Sequence, residues 1–248
     1  MKCVVFFGRA LVRLCGWSLL LLLTACGSPP LKSSRAEGWT QRPAAGVLFV
    51  TPEFRMYEVP LGGKEQRVVA WEKQASGYFR TAIEQSGALP AGWTRQAAET
   101  LDDTQQKLVE QHYGLFCTLA PQLLLVKSDR VPALAEKREN FTYTLGPGLA
   151  PLIEATGAQL MVFALGQDRI RSVQRRVFDS AMSLNVMTMG RKAQTGTMAL
   201  AVVELATGDI LWFDNEFSTR RSFNDAEDVA DLTNILLGRF LAAKASTL

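Results

Sequence analysis

Hydrophobic positions along this chain recur at two spacings, and the switches between them outline a mixed α/β domain over residues 43–248. The run GVLFV, with Val47 to Val50 between Gly46 and Pro52, predicts a short buried strand. From residue 64 to 85 the period changes: Val68, Trp71, Ala75, Phe79, Ala82 and Ile83 fall within roughly 120° of a helical wheel, with Lys73, Arg80 and Glu84 opposite. A second helix is expected from Leu101 to Leu119, where Leu101, Leu108, His112, Leu115 and Leu119 lie near one face and Pro121 supplies a stop. QLLLV, around Leu123 to Val126, reads as a strand, and GPGLAPLIEATG as a short helix behind Gly146 and Pro147. AQLMVFALG predicts the next strand, and a weakly alternating piece from Phe178 to Thr188 another. TMALAVVEL and DILWFDNEF then form a hairpin about Ala206 to Asp209, where Gly208 supplies a positive φ. The chain closes on an amphipathic helix from Asp225 to Ala243 bearing Val229, Leu232, Leu236 and Phe240, with Asn224 as the expected N-cap and Glu227 completing a capping box. The order implies an α/β (α+β) fold, with helices packed on a mixed, largely antiparallel sheet of about five to six strands.

The amino-terminal pattern is different in kind. Lys2, Arg9 and Arg13 precede an apolar run from Gly16 to Ala25 with no acid among them. A membrane-spanning helix needs roughly 20 apolar residues, so a run half that long reads as a removable signal peptide, residues 1–25. Leu23, Thr24 and Ala25 stand immediately before Cys26 and match the bacterial lipobox. The Cys26 thiol is a soft nucleophile able to take a diacylglyceryl group as a thioether, and small neighbours let a peptidase cut between Ala25 and Cys26. Two or three acyl chains, at ~0.8 kcal/mol per buried methylene, anchor stably where one does not. Gly27 and Ser28 follow Cys26 in place of the aspartate common in lipoproteins kept at an inner membrane, which favours the periplasmic face of an outer membrane. Residues 26–42 are rich in Ser, Pro and charge, lack a period, and read as a flexible tether.

Composition changes meaning after this processing. The chain of 248 residues carries 27 Lys and Arg against 24 Asp and Glu, and the excess leaves with Lys2, Arg9 and Arg13. A balanced mature chain gives no electrostatic support to a nucleic-acid partner. Cys3 and Cys15 also leave, so with Cys26 acylated only Cys117 remains, in an apolar setting that suits a buried thiol, and no intrachain disulfide forms.

Catalytic chemistry is hard to place. His112 is the single histidine, and the five-residue step to Cys117 puts the two about 140° apart on a helix, which is poor geometry for a nucleophile pair. The segment Gly190 to Gly196 has Thr197 where a phosphate-binding loop needs lysine. Asp102, Asp103, Asp225, Glu227, Asp228 and Asp231 sit at helix starts, where they complement the macrodipole. No catalytic, metal or cofactor site is therefore expected. Trp212 and Phe213 alternate on one strand, so one of them is expected to leave the inner face of the sheet and offer a partner surface.

Residues 145 to 243 add a resemblance. A helix ending in Thr-Gly-Ala at Gly157 and Ala158, an apolar strand, and a hairpin with Thr207 and Gly208 in its turn and Trp212 beyond it resemble one superfamily of bacterial lipoprotein domains. It includes the curli-secretion lipoprotein, the lipoprotein activator of penicillin-binding proteins and the TolB N-terminal domain. The resemblance implies an interaction module without catalytic residues. Two family roles do not carry over. Arg169, Arg171, Arg175, Arg176, Arg191 and Lys192 leave no lipid-facing hairpin for a secretion pore. The tether of ~16 residues extends at most roughly 55 Å, short for reaching across a periplasm.

The expected protein is a non-enzymatic, cofactor-free lipoprotein, monomeric or a small oligomer, bound to the bilayer through Cys26 and to another envelope protein through its domain. An oligomeric secretion or channel subunit and an envelope enzyme with an unrecognised site are the alternatives.

Overall fold

The computed structural model describes residues 34–36, 46–86, 94–128, 131–182 and 194–245. All belong to one compact unit. Among them are strands β1 (Ser34–Arg35), β2 (Gly46–Phe49), β3 (Glu53–Val59), β4 (Gln66–Arg67), β5 (Thr94–Ala97), β6 (Leu160–Arg171), β7 (Gln194–Glu204) and β8 (Ile210–Ser218). The helices are α1 (Val69–Gln85), α2 (Asp103–Lys127), α3 (Ala135–Glu139), α4 (Pro151–Thr156), α5 (Val173–Met182) and α6 (Ala226–Ala245).

The sheet is mixed and runs β1-β8-β7-β6-β2-β5, with β3 continuing along β6 beyond β2 and β4 closing a turn on β3. β6, β7 and β8 form an antiparallel meander, whereas β2 runs parallel to β5 and β6, and β3 parallel to β6 but antiparallel to β4. The class agrees with the sequence reading, and the described strands are more than the five to six expected, because β1, β3, β4 and β5 join the sheet. In β1, Ser34 pairs with Phe213 and Arg35 with Trp212, so part of the expected tether is built into the sheet.

Helices cover both faces. α1 and α6 pack Ala75, Phe79, Ile83, Val229, Leu236 and Phe240 against Val47, Phe54, Val162, Leu200 and Trp212. α2 and α4 pack Val109, Phe116, Leu123 and Leu152 against Leu48, Met161, Phe163, Ala201 and Phe213. This two-sided burial overturns the reading of Trp212 and Phe213 as a partner surface, because both are fully buried, each against its own helical layer. An extra residue on β8 near Val202 and Val203 places Leu211 and Trp212 on the same face.

Four further expectations change. α2 runs through Pro121 to Lys127, so the segment Leu123 to Val126 is helix and not strand. An internal proline costs about 3 kcal/mol. Phe116, Ala120, Leu123 and Val126 continue the buried helical stripe, and each large apolar side chain gains roughly 1.5–3 kcal/mol on burial. Val173–Met182 forms α5, so Phe178 to Met182 of the strand expected from Phe178 to Thr188 are helix, and the rest of that expected strand lies outside the described residues. α6 is capped by Asp225, whose Oδ1 accepts from the amides of Glu227 and Asp228 at 3.0 and 3.3 Å, while Asn224 turns to Ser222. Last, the strands β3, β4 and β5 were not expected at all.

The hairpin turn is as read. Gly208 has φ +75, and a Cβ there would lie 1.8 Å from the carbonyl oxygen of Gly146. Leu145 N donates to Gly208 O at 2.8 Å, tying the segment before α4 to the turn. Gly157 ends α4 in the left-handed region at φ +67, its amide donating to Ile153 O.

Candidate functional site

The most structured irregularity in the sheet lies where β2 gives way to β3. Phe49 is opposite Val162 and Glu53 is opposite Leu165, so Val50, Thr51 and Pro52 stand against only Phe163 and Ala164. Pro52 has no amide to donate, and the extra residue breaks the ladder as a bulge does. A side chain repairs it. The Tyr113 hydroxyl, from α2, accepts from Glu53 N at 2.7 Å and donates to Ala164 O at 2.9 Å. Its ring packs against Phe163 at 5.7 Å and Phe116 at 6.3 Å between centroids. From the other face Ser76 Oγ donates to Pro52 O at 2.8 Å.

Above the bulge, at the carboxyl ends of the parallel strands β2 and β5, is a cleft of about 260 Å³. Open parallel sheets present ligand sites in this position. Its floor is apolar: Phe49 and Val50 from the sheet, Phe79 and Ile83 from α1, and Ala97 from β5. Its rim carries Thr51, Arg80, Glu84, Gln96 and Glu99. A second hollow of about 140 Å³ adjoins it, sharing Val50, Thr51 and Glu99 and adding Gln106, Val109 and Glu110 from α2. Thr51 Oγ1 donates to Glu99 within the shared wall. The arrangement suits an apolar group inserted between charged edges that fix its orientation.

Groups close to the bulge are poorly set for proton transfer. Burial pushes the Tyr113 hydroxyl well above its usual range, with Cys117 adding to the rise. Burial likewise pushes up the half-buried Cys117 thiol. His112 is buried, its Nδ1 lies 2.8 Å from Leu108 O, and its ring fills the space over Gly148. The step between His112 and Cys117 expected from the helix is thus matched by separate partners for each.

The remaining buried charges are tied into the fold. Lys127 at the end of α2 contacts Asp214 on β8, and Arg239 on α6 lies 3.7 Å from the same carboxylate and 2.6 Å from Glu216. Burial pulls the Lys127 ammonium down to about 8, the charge of Arg239 adds to that pull and Glu216 opposes it. The contact between Lys127 and Asp214, with Arg239 on the other side, joins both helical layers at β8. Asp168 Oδ2 accepts from Phe223 N at 2.9 Å and Ser222 Oγ at 3.2 Å, and burial raises its pKa. Asp102 caps α2 in a capping box with Gln105. Among the described residues no cluster of His, Cys, Asp and Glu is placed to hold a metal ion.

Of the residues singled out by sequence, Ala25 and Cys26 lie outside the described residues, as does most of the Gly190 to Gly196 turn. Trp212 and Phe213 lie in the core, on opposite faces of the sheet. Sequence reasoning missed Tyr113, Thr51 and Glu99. Pro52, directly after an apolar run, is the signal that marks the interruption they surround.

No protein-family model matches the chain, and no curated protein matches it. Among solved structures it is similar to a PelC dodecamer from Paraburkholderia phytofirmans, at 10% identity and TM-score 0.33 over 86% of this chain and 98% of that one. It is also similar to the LpoB C-terminal domain from Salmonella enterica, at 15% identity and TM-score 0.26 over 74% and 87%. A third is a putative neuraminyllactose-binding hemagglutinin homolog from Helicobacter pylori, at 9% identity and TM-score 0.28 over 90% and 89%. TM-scores this low carry no argument about function.

Proposed function

We propose that this chain is a lipid-anchored protein of the bacterial envelope, held through Cys26 at the periplasmic face of the outer membrane, and that its domain binds another envelope protein without catalysing a reaction. The lipobox Leu23-Thr24-Ala25-Cys26 supports the anchor. The observation that carries the binding role is the cleft over the bulge. Phe49, Val50, Phe79 and Ile83 give it an apolar floor, and Arg80, Glu84 and Glu99 give it a charged rim. An apolar side chain of a partner gains from the floor, and the rim selects its approach.

A photo-crosslinking amino acid at Glu84, in the full-length lipoprotein in its own cells, tests this reading. A discrete adduct is expected, and it disappears when Ala97→Trp fills the cleft from a half-exposed position. An adduct indifferent to Ala97→Trp would remove the cleft from the function. Turnover of an envelope polymer by the purified chain would contradict the non-catalytic role.

A further inference from the structure

The exposed apolar side chains are concentrated at one end of the sheet. β6 ends at Arg171 and leads into α5; β3 ends opposite it, with Val59 paired to Arg171; β8 reaches Ser218, opposite Gly196 of β7, itself opposite Asp168. Leu61, Val173, Val177, Phe178 and Phe217 all lie at this end, and each is between 45% and 61% exposed.

α5 is amphipathic in the inverted sense. A helix resting on a soluble domain turns its apolar face inward. Here Arg175 and Asp179 are the half-buried pair, joined at 3.3 Å, and Arg175 also donates to Pro60 O at 3.4 Å. Val173 and Val177, one turn apart, face outward at 61% and 59% exposure. Arginines surround the patch: Arg169, Arg171, Arg175 and Arg176 on β6 and α5, and Arg220 and Arg221 after β8. Among the described residues, Glu65 pairs with Arg169, Asp179 with Arg171 and Arg175, and Asp231 with Arg221.

β1 is antiparallel to β8, with Ser34 opposite Phe213 and Arg35 opposite Trp212, so the amino-terminal end of β1 points along β8 toward Ser218. Five residues of β8 and three more of β6 separate Phe213 from Arg171, the last residue of β6, a run of roughly 27 Å at ~3.4 Å per residue. The eight peptide steps from Cys26 to Ser34 extend to at most ~28 Å. That contour length matches the run to Arg171, so the proposed anchor at Cys26 permits a bilayer to meet this end of the domain.

We infer that this end of the domain is a membrane-docking surface: α5 lies against the bilayer with Val173, Val177 and Phe178 in the headgroup and acyl boundary and the arginines on anionic headgroups. The inference rests on the proposed anchor for its geometry, while the patch itself is independent of it. A lipid surface fits better than a protein, because an apolar stripe edged by arginines on a short helix is the interfacial pattern and the anchor brings the bilayer within reach.

The test uses the full-length chain reconstituted in vesicles of phosphatidylethanolamine and phosphatidylglycerol, with an environment-sensitive fluorescent amino acid at Val177 or, as a control, at Leu125, an exposed residue of α2. The Val177 probe is expected to shift to the blue and to lose emission when the acyl chains carry bromine, while the Leu125 probe does neither. Matching emission from the two sites overturns the inference. So does a blue shift at Val177 that grows with protein density and ignores bromine, since a second copy then covers the patch. Acyl mass at Cys26 is read in the same sample. Quenching at Val177 with an unmodified Cys26 keeps the docking surface and removes the anchor; an acylated Cys26 without quenching does the reverse.

Discussion

Replacing Tyr113 by Phe isolates the repair of the bulge from the packing around it. The phenyl ring keeps its contacts with Phe116 and Phe163, and only the hydroxyl is lost. Two backbone groups then lose their partner: Ala164 O, previously at 2.9 Å, and Glu53 N, previously at 2.7 Å. A buried group left unsatisfied costs about 1–3 kcal/mol. Ala164 is fully buried and bears the larger share, whereas Glu53 is exposed and its amide can turn to water. The sum is about 2 kcal/mol. For a domain of this size that lowers the thermal midpoint by roughly 4–8 °C. Denaturant unfolding of the chain from Gly27 onward measures it, and the midpoint moves while the slope does not. Tyr113→Ala, which also removes the ring, falls further, by about 3–5 kcal/mol in all. A Tyr113→Phe chain as stable as the parent would show that the bulge does not depend on this hydroxyl.

Other substitutions probe the remaining parts of the account. Gly208→Val forces a β-branched residue to positive φ, at about 1–2 kcal/mol, and also drives a Cβ into Gly146 O, so its thermal midpoint drops below that of Gly157→Val, which meets no such neighbour. Lys127→Met leaves the buried Asp214 carboxylate with the Asn215 amide and, at 3.7 Å, Arg239 as its one remaining cation, and costs about 3–5 kcal/mol, most of it recovered in Lys127→Met with Asp214→Leu by denaturant titration. Glu72 accepts from Arg67 at 2.7 and 2.8 Å, which holds its carboxyl below the usual range against the opposing effect of burial. Its stabilisation is therefore complete above the ordinary carboxylate value of 4.5 and is lost as pH falls through the folded value, so the stability gap between the parent chain and Glu72→Gln closes in acid.

What the sequence discloses follows from how local each signal is. α1 and α6 carry uninterrupted helical periods, and β6 and β7 are long apolar runs bounded by Gly157 and Gly208, so each is identified by its own residues. Pro121 misleads because the local cost of proline is outweighed by Leu123 and Val126 entering a core that only the folded sheet creates. α5 misleads for a related reason: Val173, Val177 and Phe178 face outward, so they do not announce a core-facing helix. β3 is obscured by its mixture of Arg55, Glu58 and Tyr57 with Phe54 and Met56, which reads as half-exposed chain until β6 pairs with it. Trp212 and Phe213 show the same dependence. Alternation correctly sends them to opposite faces, but only the presence of α2 beneath one face and α6 above the other reveals that neither face is open. The cleft was illegible because its walls come from β2, α1 and β5, which meet only through the parallel pairing of Gly46–Phe49 with Thr94–Ala97.

The anchor underlies both the proposed placement in the envelope and the docking geometry of α5, and the mass of the amino-terminal peptide of the chain extracted from membranes tests it directly. The account predicts a peptide that begins at Cys26 and carries a thioether-linked diacylglyceryl group, and Cys26→Ser should abolish that mass and the membrane retention together. A membrane-bound chain that begins at Met1, or one cut elsewhere with an unmodified Cys26 thiol, would contradict it.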